Sequence, residues 1–369
     1  MARMSHNPLP PAESPRVRCE IIPPFLLARI ATLDDPRFER AAHAARRSLT
    51  DIGHDHLDHG RHEHMLPPRS LRPDEAFERG TVNRAISDAQ GGEALPGILV
   101  RSEGEPDTGD VSVSEAYDGL GHTFTLFWEA FGRDSIDDRS SPLNATVHFG
   151  QLYDNAFWDG SRMVFGDGDG EIFTGFTRSL SVIGHELAHG VTEFTAGLVY
   201  RNQSGALNEH VSDVFGTLVE QYAQCQTAAE ASWLVGEGIF TDEVEGNALR
   251  SLKAPGTAYD DDVLGKDPQP GHMDDFIVTQ SDNGGVHLNS GIPNRAFWSV
   301  ADTLGGFAWD RAGQIWYDTL TGGALTPRSE FAEFAAATVG AAIARFGEDS
   351  AEHEAVLGGW SLVGIIPEG

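Results

Sequence analysis

Seven residues, Gly184-His185-Glu186-Leu187-Ala188-His189-Gly190, constrain this chain more than any other stretch of it. They sit inside a segment, Thr177 to Gly197, that reads as a single helix. Histidines four apart share one helix face, so His185 and His189 can hold one metal ion between them. Glu186, one residue past the first, reaches a water beside that metal rather than the metal itself. Two imidazoles and a carboxylate in this pattern point to a zinc-dependent hydrolase. A surface helix with scattered histidines shares the pattern by chance, so the rest of the chain has to supply the rest of a site.

Catalytic zinc takes three protein ligands and keeps a further position open. The missing ligand should be a carboxylate on a second helix downstream, and Glu209, twenty residues after His189, supplies it. Asp213 follows on the same helical face, placed to orient a ligating histidine ring and fix its tautomer. Both acids lie among Leu207, Val211, Val214, Phe215 and Leu218, an apolar face on which a merely structural helix would place neither.

Organisation along the chain agrees with a site at a junction. Residues 1–19 are rich in proline and polar groups and read as disordered. In the apolar stretch Glu20 to Leu27, the Pro23-Pro24 pair favours an extended form able to dock in a groove. Asp35-Pro36 opens a helix that runs to about Leu49. Five histidines between His54 and His64 read either as a metal-binding tract or as a solvated linker, and 53–73 is the best linker in the chain.

Beyond residue 80 a strand at 95–101, an amphipathic helix at 113–131, a strand at 144–149 and a hairpin at 156–165 are expected. Gly166-Asp167-Gly168-Asp169-Gly170 is a tight turn and not a calcium loop, because the twelfth position from Asp167 is Arg178 and not Glu. A helix at 206–225, a loop-rich region at 230–290 and helices near 293–304, 309–320, 328–346 and 350–360 complete the chain. The expected class is α+β, with the His-Glu helix between a strand-rich first half and a helical second half.

Charge narrows the partners. Of 26 basic and 56 acidic residues, 1–80 hold 12 of each, leaving 14 against 44 for the remainder. A strongly acidic body argues against nucleic acid or an anionic membrane as partner. Cys19 and Cys225 permit one disulfide at most and are expected to stay reduced. No apolar run approaches the roughly 18 residues of a membrane span. The best run, Ile21 to Ile30, lacks a cleavage site of small residues, so the expectation is no Sec signal peptide and a protein that is cytoplasmic or leaves by a non-classical route.

In order and spacing, Gly184 to Gly190, Gly205 to Gly216 and Asp282 to Gly291 resemble the thermolysin family of zinc metallopeptidases, as do Asn155 to Trp158 and Gly166 to Gly170. The resemblance covers about 80–369, and Ile22-Pro23-Pro24-Phe25-Leu26 is similar to the prosegment motif of protealysin-like members, which carry a short prosegment. It implies a two-lobed fold: prosegment and linker over 1–72, an N-terminal β-rich lobe with the His-Glu helix over 73–200, and an α-helical lobe over 201–369. It also implies a zinc endopeptidase made as a self-processed precursor, monomeric, inhibited by its own prosegment and acting on peptides or proteins.

Carried over position by position, the resemblance implies that His185, His189 and Glu209 ligate zinc and that Asp213 holds His185. Glu186 is then the general base, His287 and Tyr200 stabilise the oxyanion, and Asp282 orients His287. Asn155, the Ala156 backbone and Arg250 bind the substrate main chain. Phe173, Phe176, Val182, Val235 and Leu249 wall the pocket for the residue after the scissile bond, which implies cleavage before bulky hydrophobic residues. Where thermolysin has a paired calcium site this chain has Ser181, Glu220, Ser232, Leu234 and Glu237, so no paired calcium site is expected. His210 points about 100° from Glu209 around its helix, toward surrounding structure or the surface. Two alternatives are a catalytically inactive binding or adhesion protein on the same scaffold and a zinc aminopeptidase. Glu186, Tyr200 and His287 count against the first, and the lack of a motif anchoring a free amino terminus counts against the second.

Overall fold

The computed structural model describes residues 19–58 and 78–367, leaving aside the side chains of 51–58. The chain enters as a two-residue strand, β1 (Cys19–Glu20), and turns into α1 (Pro24–Ala31). The expected extended stretch therefore ends at Pro23, and Pro24 opens a helix because the first turn needs no N–H from its leading residue. Asp35 caps a 3-10 turn, accepting from the Arg37 N–H, and the chain continues as α2 (Glu39–Asp58). That helix runs nine residues beyond Leu49 into the histidine tract, whose side chains lie outside the described residues.

After residue 78 come β2 (Arg84–Asp88), β3 (Ile98–Ser102), α3 (Val111–Phe131), β4 (Leu143–Val147), β5 (Ala156–Trp158) and β6 (Met163–Phe165). They form one mixed six-stranded sheet in the order β1-β5-β6-β4-β2-β3. Its edge at β5 is covered by β1, paired antiparallel with Cys19 opposite Trp158 and Glu20 opposite Phe157. An edge strand left open invites a further chain, and here the amino-terminal segment of the same chain takes the place. The sequence reading had missed β1 and β2.

The second half is helical: α4 (Leu180–Glu193), α5 (Asn202–Gln224), α6 (Asp282–Asn289), α7 (Gly291–Leu304), α8 (Ala312–Thr321), α9 (Phe331–Phe346) and α10 (Ala351–Leu362). The helix expected from Thr177 to Gly197 is shorter, because a 3-10 turn over Phe176–Arg178 precedes it and the chain turns away after Glu193. Between α5 and α6 lie two-residue strand pairs and a 3-10 turn at Met273–Asp275, in line with the loop-rich reading, although α6 falls inside the stretch read as loop. This is the expected α+β arrangement, with α4 buried where sheet and helices meet.

Two close approaches place the site. A Cβ on Gly184 would meet the Gly216 Cα at 3.0 Å, and one on Gly216 would meet the Ser181 carbonyl at 2.4 Å, so α4 and α5 cross with backbone nearly touching backbone. The turn opening α6, Asp282-Asn283-Gly284-Gly285, has positive φ throughout, and a Cβ on Gly284 would lie 2.2 Å from Asn202 Oδ1. That turn swings His287 over the start of α5.

Candidate active site

The crossing of α4 and α5 brings His185, His189 and Glu209 together, fully buried, with potential ligand atoms all within 4.8 Å of one another. Their hydrogen bonds fix what each ring presents. His185 Nδ1 lies 2.8 Å from Asp213 Oδ1, and a carboxylate only accepts, so Nδ1 carries the proton. His189 Nδ1 lies 2.8 Å from Asn208 Oδ1, whose amide nitrogen is committed to the Leu198 carbonyl, so that Nδ1 is protonated too. Burial first, and then neighbouring His185, push His189 down to about 3, keeping it neutral.

With Nδ1 of each ring bonded away from the cluster, Nε2 is the nitrogen each turns inward, and the two face each other at 3.0 Å. Glu209 adds Oε2 at 3.6 Å from His185 and Oε1 at 3.4 Å from His189, and Oε2 has no hydrogen-bond partner. Two imidazole nitrogens and a carboxylate converging on one point could hold a cation, and that donor set suits zinc.

Glu186 points both carboxylate oxygens into this buried space without a hydrogen-bond partner. Burial, followed by the charge of Glu209, raises its pKa well above the ordinary carboxylate range. Opposite stands His287, with Nδ1 2.6 Å from Asp282 Oδ1 and Nε2 2.8 Å from the Glu20 carbonyl. Both partners are acceptors, so both nitrogens carry protons. Burial alone would lower this group, but Asp282 and Glu209 outweigh it and raise His287 to about 9. The Tyr200 hydroxyl donates to Glu209 Oε1 and lies 3.2 Å from His287 Nε2.

The main-chain groups held here belong to the amino-terminal segment. Ile21 N–H donates to the Ala156 carbonyl at 3.1 Å, and Ile22 N–H donates to Asn155 Oδ1 at 3.0 Å. Arg250 Nη1 donates to the Ile21 carbonyl at 3.1 Å, while Asn155 Nδ2 donates to Glu20 Oε2 at 2.9 Å. Cys19, to which the sequence reading gave no role, is buried against Tyr200 and Val286. Burial and then the charges of Glu209 and Glu186 raise its thiol pKa, so it stays protonated. The two cysteines do not join in a disulfide, Cys225 being exposed at the end of α5.

Phe173, Phe176, Val182, Val235 and Leu249 are all buried in the main hydrophobic core, to which Ile21 and Ile22 also belong. Glu220, Ser232, Leu234 and Glu237 line a separate pocket of about 340 Å³. His210 is not at the surface but fully buried, bonded to Asn294 and Trp316. Sequence reasoning also missed Asn208 and Ser212, which meet the His189 ring at 2.8 and 3.0 Å. Their only sequence signal was position, beside Glu209 and Asp213 on the helix that carries both.

Two family models, described as the catalytic domain and the alpha-helical domain of thermolysin metallopeptidase, match residues 99–193 and 196–365. The chain belongs to the thermolysin metallopeptidase family. The precursor of protealysin, a metalloproteinase from Serratia proteamaculans, superposes with a TM-score of 0.84 at 49% identity, covering 94% of this chain and 99% of that one. An extracellular metalloprotease of Pectobacterium carotovorum is 48% identical over 349 residues, 94% of this chain and 96% of its own. An extracellular minor metalloprotease of Serratia marcescens is 40% identical over 288 residues, 78% of each chain. This thermolysin-family chain is therefore a zinc metalloprotease, an endopeptidase made as a precursor.

Those relatives also overturn one expectation. A cytoplasmic location, or exit by a non-classical route, does not stand beside relatives named extracellular, which suggest secretion. The run Ile21 to Ile30 follows β1 and packs into the core through α1, with Leu26, Leu27 and Ile30 buried, so its lack of a cleavage site says nothing about export.

Proposed function

We propose that His185, His189 and Glu209 hold the zinc of this endopeptidase, braced by Asp213, and that residues 1–72 form a prosegment and linker ahead of catalytic lobes at 73–200 and 201–369. The observation that carries the reading is the convergence of two imidazole Nε2 atoms and a Glu209 oxygen without a hydrogen-bond partner beside a gripped peptide main chain. When bound, zinc supplies a Lewis acid that acidifies water and polarises the scissile carbonyl.

Glu186 takes the proton of the attacking water and delivers it to the leaving amine, a task suited to a carboxylate whose proton affinity burial has raised. His287, charged and held by Asp282, together with the Tyr200 hydroxyl, donates to the oxygen on which negative charge develops. Asn155, the Ala156 carbonyl and Arg250 fix the substrate main chain. The prosegment occupies these groups, so it inhibits until removed, and removal is by the enzyme itself.

The Glu20 carbonyl rests on His287, so Ile21 takes the place of the residue following a scissile bond. Ile21 is fully buried, which fits a pocket walled by Phe173, Phe176, Val182, Val235 and Leu249. Filling such a pocket with a large apolar side chain is worth roughly 1.5–3 kcal/mol. Cleavage is expected before Leu, Phe, Ile or Val in amino-terminally blocked peptides, and a library profile dominated by charged residues there would sink this specificity. Three carboxylates line that pocket, Glu220, Glu230 and Glu237, and Glu230 accepts from Thr227, which leaves too few for a pair of calcium ions. Millimolar calcium should leave the melting temperature unchanged, and a clear rise would reverse that reading. The enzyme acts as a monomer.

A further inference from the structure

A chain of hydrogen bonds runs from Asp213 away from the metal site into the helical lobe, and its direction is fixed at the far end. Trp316 on α8 places Nε1 2.7 Å from His210 Nε2. His210 Nδ1 lies 2.8 Å from Asn294 Oδ1 on α7, and Asn294 Nδ2 lies 2.9 Å from Asp213 Oδ2. Asp213 Oδ1 closes the chain at 2.8 Å from His185 Nδ1. All five side chains are buried without measurable exposure.

An indole nitrogen only donates. His210 Nε2 must therefore accept, which leaves the ring proton on Nδ1, and Asn294 Oδ1 must accept that proton. The Asn294 amide nitrogen is thereby turned toward Asp213, whose carboxylate accepts from it on one side and from His185 and Arg250 on the other. Were the His210 proton on Nε2, it would oppose the indole N–H. Asn294 would then turn its amide to satisfy Nδ1 and set its oxygen against the Asp213 carboxylate.

We propose that His210 and Trp316 are positioning residues, the indole fixing the tautomer of His210 and the amide orientation of Asn294 so that Asp213 keeps the His185 lone pair aimed at the metal. Packing alone does not call for an imidazole here. The ring meets Phe334 and Trp316 edge to face, at 5.7 and 6.1 Å between centroids, contacts that an apolar ring would make without bringing a donor and an acceptor to be satisfied. The inference rests on the role proposed above for Asp213.

The direct test is the histidine ring nitrogen spectrum of the full zinc-loaded chain labelled with nitrogen-15 histidine, with His210 assigned by its loss in His210→Gln. A neutral ring protonated on Nδ1 is expected, and protonation on Nε2 overturns the proposal. Zinc affinity, read by competition with a chelator, supplies the consequence. Trp316→Phe keeps a ring but removes the donor and should weaken zinc roughly tenfold, whereas His210→Gln, whose amide both accepts and donates, should restore much of what His210→Ala loses. Asp213→Asn, measured alongside, should weaken zinc about 10–100-fold. Unchanged affinity in Asp213→Asn would remove the role of Asp213 itself. Loss there with none in Trp316→Phe would remove only the relay, and if Trp316→Phe fails to fold the wild-type spectrum decides.

Discussion

The two sides of the metal trio are built on opposite terms. Behind the histidines, Nδ1 of His185 and of His189 each has an acceptor, and Asp213 accepts from His185, Arg250 and Asn294. In front, the two oxygens of Glu186 and one of Glu209 are buried without a hydrogen bond of good geometry. A buried polar group left unpaired costs about 1–3 kcal/mol, so such groups persist where something other than stability retains them. On the reading proposed above, the satisfied side would set ligand geometry and the unsatisfied side would meet the reactants.

If this division is right, substitutions on the two sides should change stability in opposite directions. Glu186→Gln should lower the rate by about 10²–10⁴-fold, the usual worth of a positioned acid–base group. It should also leave the chain uncut on a denaturing gel under conditions where the wild type processes. Its melting temperature should hold or rise, because an amide is less costly to bury unpaired than a carboxylate. A Glu186→Gln protein that melts earlier would mean that Glu186 has a structural partner in solution.

On the satisfied side, Asp213→Asn removes the counter-charge of Arg250, which donates to Asp213 at 2.8 Å with neither side chain exposed. Breaking one partner of a buried ion pair typically costs about 3–5 kcal/mol, and that loss should appear in denaturant unfolding of the metal-free chain. The pKa of Asp213 supports this reading: burial would raise it, yet Arg250 and His185 hold it well below the usual carboxylate range. A stability loss seen only with zinc bound would mean that Asp213 serves the metal ligand and not Arg250.

The same division explains what the sequence disclosed. The unsatisfied groups and the proposed ligands, Glu186, His185, His189 and Glu209, were legible because their chemistry dictates residue type and helical spacing. Most helices were legible from apolar period, α3 and the last four within a few residues. The satisfied side was not legible beyond Asp213. Asn208, Ser212, Asn294 and Trp316 act through partners 19, 23, 84 and 106 positions away, and nothing in a local pattern states such a pairing. β1 was hidden for a similar reason: two residues have no period, and the strand exists only because the β5 edge receives it. The fate of the histidine tract lies outside the described residues.

The smallest expected effect lies away from the site, where a satisfied group is half in water. His148 joins two turns, with Nδ1 2.9 Å from both oxygens of Asp167 in the Gly-Asp turn and Nε2 3.1 Å from Asp110, the cap of α3. Burial lowers its pKa, but the two carboxylates outweigh this and the net direction is upward. A histidine with a raised folded-state pKa contributes stability that is fully present below its unfolded value, near 6.5, and is lost as pH rises through the folded value. His148→Ala should therefore cost most between about pH 5 and 6 and progressively less in alkaline solution, with a ceiling of about 1 kcal/mol because exposed ion pairs are worth little. Denaturant midpoints of wild type and variant across that range measure the difference. A gap that does not narrow with rising pH would mean that the ring acts there by packing as a neutral group, as His189 and His210 are held deep in the protein.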